Sequence, residues 1–216
     1  SEKFPSQKLI VEGESDLYAI AELRDSAKIE YNFDIVVLET ITNLENEVSV
    51  RLKSSELKTI GIVVDADENL TRIWKIIQNI FNENGFPLPE NISEKGLIVS
   101  NENIKIGVWI MPNNNLNGTL EGFLHYLIPK NDSLMPEVIK HTDNVESKKL
   151  QKYNSNNRSK SEIYSWLALQ ESPGTPIGKA INYKYFKIEN PECQTFLDWL
   201  NKIGRASCRE RVSSPV

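Results

Sequence analysis

Three nearly continuous apolar runs, each followed by a stretch of helical period, constrain this chain most. KLIVEG (8–13), FDIVVLE (33–39) and TIGIVVD (59–65) do not alternate apolar with polar residues. Such runs suit strands that are covered on both faces. After each run the period lengthens. Leu17, Ile20, Ala21 and Leu23 share one helical face in residues 14–29, and Leu44, Val48 and Leu52 share one in 43–57. In 70–84, Leu70, Ile73, Trp74, Ile77, Ile80 and Phe81 line a single stripe, and Gly85, Pro87 and Pro89 close it. This β-α-β-α-β-α order predicts an α/β fold with a mostly parallel central sheet flanked by helices. GLIVS (96–100) and IKIGVWIM (104–111) predict a hairpin at one sheet edge. The remainder reads as helices over 119–128, about 134–151, 160–170 and 191–201, with a polar linker at 153–159 and a Pro/Gly break at 171–178. The expected organisation is an α/β core over 8–130 and a helical C-terminal part of the same domain over 131–202.

Composition limits the function classes. With 39% hydrophobic and 25% charged residues, the chain has a globular balance. No apolar run approaches the roughly 20 residues that span a bilayer, and the opening SEKFPSQK lacks the core of a signal peptide. Cys193 and Cys208 form neither a disulfide framework nor a zinc pattern. The expectation is a reduced, cytoplasmic protein with no membrane contact. The segment IGRASCRERV (203–212) has no hydrophobic period and resembles a translated sequencing adapter, so residues 203–216 are expected to be a non-native tail. Charge is uneven in what remains. Residues 1–146 carry 13 basic and 24 acidic side chains, whereas residues 147–187 carry eight basic and two acidic ones. That basic stretch interleaves Tyr153, Tyr164, Trp166, Tyr183 and Tyr185 with its lysines. It reads either as a solvated face or as a patch facing phosphates.

The apolar runs end on acids. Glu12 follows the first, and Asp65 ends the third, with Asp67 two residues on. In an open α/β sheet, ligands gather beyond the carboxyl ends of the strands. If the strands are parallel, Glu12 and Asp65 emerge at one edge. Continued extension would put Asp67 on the same side as Asp65 and turn Glu68 away. Asp16, one helical turn past Glu12, can lean back toward the same place. Several carboxylates held together raise one another's pKa, and a divalent cation removes that conflict. All-oxygen ligands favour Mg²⁺ or Mn²⁺, which suit displacement at phosphorus. The structural alternative makes the Asp65–Asp67 pair a loop turn in which Asp67 caps the helix over 69–84.

LIVEGESD followed by IGIVVDADEN resembles the Toprim domain of topoisomerases, bacterial primases and several nucleases, whose signature is a Glu after the first strand and a DxD after the third. GVWIMPNNNLNGTLEGFL (107–124), KSEIYSWLALQESPGTPIGKAI (160–181) and FLDWLNK (196–202) resemble a bacterial Toprim branch of unknown function, related to the overcoming-lysogenization-defect (OLD) nucleases. The resemblance covers nearly all of 8–202. It implies that Glu12, Asp65 and Asp67 are catalytic metal ligands, with Asp16 an added acid and Glu121 the acid of a second metal. Lys160 is the candidate to stabilise charge on the phosphate. The alternatives are a first-turn acid on the helix dipole for Glu121 and an exposed lysine for Lys160. Pro112-Asn113-Asn114 stands where the branch favours Pro-Asp-Asn, which puts catalytic strength in doubt.

Other motifs fit less well. A haloacid-dehalogenase-like phosphatase wants Thr or Val where Asn69 stands and leaves Glu12 unexplained. The string from Gly174 to Ala180 is one residue short of a P-loop and ends in Ala. Glu121 and His125 are spaced as a zinc pair, but no second His lies close, so His125 reads as a core or rim residue. The tryptophans sit at core-like positions, Trp166 being the one candidate for base stacking. The resulting expectation is a Mg²⁺- or Mn²⁺-dependent, phosphodiester-cleaving Toprim nuclease. Its implied partners are nucleic acid, DNA in particular, and an ATPase on a separate chain in anti-phage defence; self-association into a homo-oligomer is left open. The alternative is a Toprim-derived binding or regulatory module with weak or no catalysis.

Overall fold

The computed structural model describes residues 6–30 and 33–205. Its sheet contains β1 (Gln7–Val11), β2 (Asp34–Val37), β3 (Thr59–Asp65), β4 (Leu97–Ser100) and β5 (Lys105–Met111), in the spatial order β2-β1-β3-β5-β4. The β2-β1-β3-β5 neighbours pair in parallel, and β4 runs antiparallel to β5 at the edge. The expected α/β architecture and edge hairpin are therefore present.

Alternation along the strands sends side chains to two cores. Ile60, Ile62 and Val64 of β3 join Ile106, Val108 and Ile110 of β5 on one face, under α2 (Leu44–Leu52) and α3 (Leu70–Glu83). Val63, Trp109 and Met111 face the other way. There they meet α1 (Glu14–Ser26), α4 (Leu120–Tyr126), α5 (Leu134–Ser147), α6 (Arg158–Ala168), α7 (Ile177–Asn182) and α8 (Pro191–Gly204). The C-terminal helices thus share the core of the sheet. Trp109 lies edge-on to Phe196 at 5.1 Å between ring centroids, and Trp199 donates its indole N–H to the Leu97 carbonyl at 3.0 Å. All four tryptophans are buried. Burial of Trp166 removes the base-stacking reading for that residue.

Three boundaries differ from the sequence pattern. α2 ends at Leu52, because Ser54 and Ser55 compete for backbone partners; the Ser54 hydroxyl accepts the Glu56 N–H at 3.4 Å. α7 occupies part of the expected break, being only six residues long and too short to display a period. α8 continues through Gly204, and Ile203 is fully buried. A Cβ on Gly107 would lie 1.9 Å from Ile203 Cδ1, so the glycine makes room for that side chain. Ile203 and Gly204 therefore belong to the fold, which corrects the boundary placed before residue 203. The rest of the tail, 206–216, lies outside the described residues.

Candidate acidic site at the sheet edge

Parallel pairing of β1 with β3 brings Val11 level with Val63, so Glu12 and Asp65 leave the sheet at one edge. Glu12 Oε2 accepts the Asp65 backbone N–H at 3.2 Å. Asp65 Oδ1 accepts the N–H of Leu120, the first residue of α4, at 2.9 Å. That bond brings Glu121 to the same edge, where it is 5% exposed and accepts the Thr119 hydroxyl at 2.9 Å. Asp16 folds back over the first turn of α1, its Oδ2 accepting the Gly13 N–H at 3.1 Å. Its other oxygen, Oδ1, is buried without a hydrogen-bond partner.

Two loops fasten this edge. Asp67 and Gly118 exchange backbone hydrogen bonds of 2.9 Å in both directions. Gly118 sits at φ +141°, and a Cβ there would meet Pro112 Cδ at 3.2 Å. Asn117 accepts the Leu70 N–H at 2.9 Å and donates to the Glu68 carbonyl at 2.6 Å. Sequence reading passed over Asn117 and Gly118 as ordinary loop residues; their partners Leu70, Glu68 and Asp67 lie some 50 positions away, which no local pattern reports. Asp67 itself has φ +49° and is exposed. The chain turns there, so the alternation argument that linked Asp67 to Asp65 fails. The helix cap is Asn69, which accepts the Arg72 N–H at 2.9 Å, so the capping alternative for Asp67 fails as well. A polar hollow opens beside Asp67, bordered by Asn69, Arg72, Asn154, Asn156 and Asn157.

A model of the family described as protein of unknown function, DUF3226, matches residues 6–205. The chain belongs to that family. No curated protein and no solved structure matches it. The matched span ends one residue after α8, where the described chain also ends.

In this DUF3226 chain the acids share one electrostatic field. Burial lifts the Asp16 carboxyl to about 7, and repulsion from Glu12 and Glu121 adds to it. Asp65 is held well above its ordinary value by burial, then by Asp16, Glu12 and Glu121. Burial raises Glu12 too; its bond from the Asp65 N–H opposes the rise, and Asp67 reinforces it. Lys160, on the first turn of α6, places Nζ 3.8 Å from Glu121 Oε1. Arg158 sets the position of α6 by pairing with Glu162 at 2.8 Å, Asp143 at 2.6 Å and Glu146. All six residues expected at the site are thus at one edge or linked to it by charge.

The donor chemistry of these acids suits a hard divalent cation. Their donor set is all oxygen, Asp16 Oδ1 is an orphaned buried acceptor, and a positive ion would reverse every repulsion just described. Among the described residues, however, no group of three or more His, Cys, Asp or Glu side chains is arranged to hold a metal ion. Glu12, Asp16, Asp65 and Glu121 each turn one oxygen to a nearby N–H or O–H.

Three further residues resolve alternatives. His125 places Nε2 3.1 Å from Glu162, which turns it away from a zinc pairing with Glu121. Asn113 caps its own loop, accepting the N–H groups of Asn115 at 3.2 Å and Leu116 at 3.0 Å. It lines a separate hollow with Glu94 and Trp109, so the cluster loses no carboxylate through it. In the basic stretch, Arg158 is engaged by acids, whereas Lys148, Lys149, Lys152, Lys179, Lys184 and Lys187 are exposed.

Proposed function

We propose that the chain is a Mg²⁺- or Mn²⁺-dependent phosphodiesterase of Toprim type that cleaves nucleic acid, DNA in particular. The observation that supports this reading is the gathering of four acids from three chain segments, Glu12 and Asp16, Asp65, and Glu121, of which Asp16 keeps a buried carboxylate oxygen with no hydrogen-bond partner. A protein gains no stability from like charges held half out of water. The arrangement makes sense when a cation completes it.

Glu12, Asp16, Asp65 and Glu121 would hold the metal, with Asp67 as the solvent-facing ligand. A bound divalent cation supplies Lewis acidity toward the phosphodiester and acidifies water for attack. The chain's own contribution is positioning. The Glu12–Asp65 and Asp65–Leu120 bonds fix three segments against one another before substrate arrives. Glu121 holds Lys160 near the cluster, and the half-exposed ammonium is placed to take up negative charge on a phosphate oxygen. The lysines of residues 147–187 supply phosphate contacts that offset the acidic remainder of the chain. An ATPase on a separate chain, as in OLD-related systems, belongs to the same proposal.

A plasmid-nicking assay with Mg²⁺ and Mn²⁺ tests it. The parent chain nicks the plasmid and Asp65→Ala does not. The second reading, a Toprim-derived binding or regulatory module with weak or no catalysis, draws on the finding that among the described residues no three His, Cys, Asp or Glu side chains are arranged to hold a metal ion. Mn²⁺ binding without cleavage under any metal, with or without a partner, would establish that reading instead.

A further inference from the structure

A third hollow, of about 300 Å³, opens between α1, α6 and the start of α7. Tyr18, Tyr164, Leu167, Ala168, Pro176 and Ile177 form most of its wall, and no charged side chain lines it. Tyr18 is 58% exposed and Tyr164 40%, so neither ring is part of the core. Gly178 packs against Tyr18, where a Cβ would lie 3.0 Å from Tyr18 Cβ; this brings α7 close to α1. Thr175 donates its hydroxyl to the Ser172 carbonyl at 2.6 Å and secures the loop that forms the far wall. The hollow is therefore shaped before any ligand arrives.

Its location connects it with the acids. Ser15 lines it, and Asp16 is the next residue of the chain. Lys160 precedes Tyr164 by one turn of α6, on the side toward Glu121. Its walls from α6 and the loop before α7 belong to the stretch 147–187, which has eight basic and two acidic side chains. A neutral aromatic hollow whose lining residues adjoin Asp16 along α1 and stand one turn from Lys160 along α6 matches one kind of occupant. That occupant has a flat apolar part joined to an anionic chain.

We propose that this hollow is a base-binding subsite, which takes an unpaired nucleobase of a single-stranded nucleic acid against Tyr18 and Tyr164. The inference rests on the phosphodiesterase reading for the direction of the strand, its phosphate lying toward Asp16 and Lys160. Bases in a duplex have their faces already stacked and cannot enter. The subsite therefore selects single strands, frayed ends or flaps.

The test is fluorescence anisotropy on the full chain in Ca²⁺, with a short fluorescein-labelled single strand, its duplex, and the same strand made abasic. The parent binds the single strand more tightly than either of the others. Tyr18→Ala and Tyr164→Ala each lose about tenfold in affinity for the single strand, and little for the abasic strand. Tyr18→Phe and Tyr164→Phe keep the affinity, because the stacking ring remains. Mn²⁺ affinity, measured by calorimetry, is unchanged in all four variants. Equal binding of normal and abasic strands by the parent overturns the proposal without using any variant. Loss of self-association in the alanine variants with unchanged oligonucleotide binding also overturns it, in favour of a protein contact. Base-selective binding by a parent that never cleaves would remove the phosphodiesterase reading and leave the subsite standing.

Discussion

The two ends of the sheet treat buried charge in opposite ways. At the amino end, Lys8 is 2% exposed and pairs with Asp34 at 2.9 Å. Beside it Lys105, 8% exposed, donates to the Lys202 carbonyl at 3.3 Å and to that of Arg205. Each cation there is held by acceptors, a carboxylate for Lys8 and backbone carbonyls for Lys105. At the carboxyl end, Glu12, Asp16, Asp65 and Glu121 face one another, and Lys160 at 3.8 Å is the ammonium that approaches them. A charge that serves the fold is paired when the chain folds. Charges gathered without balance indicate something that arrives later.

The largest expected effect tests that contrast directly. Asp65→Asn should lower metal-dependent cleavage by about three orders of magnitude, in line with removal of a central electrostatic group. Its metal-free stability should stay equal or rise, because a repulsive charge is gone. Initial cleavage rates and urea denaturation in EDTA check the two halves. Full activity in this variant would break the comparison.

Lys8→Met should do the reverse. Removing the ammonium takes the 2.9 Å ion pair from Asp34 and should cost about 2 kcal/mol, less than for a fully buried pair because Asp34 reaches solvent. Mn²⁺ affinity should not change. Urea denaturation and calorimetry measure these effects.

Adding metal should stabilise the parent by about 2.7 kcal/mol at a hundredfold excess over the dissociation constant. The thermal shift should disappear in Asp65→Asn and persist in Lys8→Met. Differential scanning fluorimetry with Mg²⁺ and Mn²⁺ reads this.

A pH slope is expected as well. Asp16 titrates at about 7 in the folded chain, against an ordinary value of 3.8. Between those values the folded state retains a proton that the unfolded state has released. Metal-free stability should therefore fall as pH rises through this window. Asp16→Asn should flatten that part of the profile, and saturating Mg²⁺ should suppress it. Urea midpoints across the range check the sign.

The smallest effect expected is at Asn113. Its amide oxygen serves its own turn, so Asn113→Asp should change cleavage by less than about threefold, the effect of an exposed charge near but outside the cluster. A large gain would place that carboxylate at the metal and redraw the edge.

Much of the fold was legible because its signals are local. The apolar runs became β1, β2 and β3 within a residue or two, and the stripe from Leu70 to Phe81 became α3. α7 was not legible, since six residues make under two turns; Ile203 was set aside with the adapter-like string it opens, and its partner Gly107, almost a hundred positions earlier, gives no local signal against that. At the site, Glu12 and Asp65 were readable as strand-terminal acids. The position of Asp67 was not, because a left-handed turn follows Asp65 where the spacing suggested continued extension.

By itself, then, the sequence determined the mostly parallel sheet, its two buried faces and the presence of acids where strands end. These follow from period and burial, which neighbouring residues set among themselves. Only the tertiary structure decided that Glu121 and Lys160 meet those acids, that Asn69 rather than Asp67 caps α3, and that Asp16 keeps an oxygen without a partner. Each of those depends on hydrogen bonds and repulsions between segments far apart in the chain, and such distances do not exist until it folds.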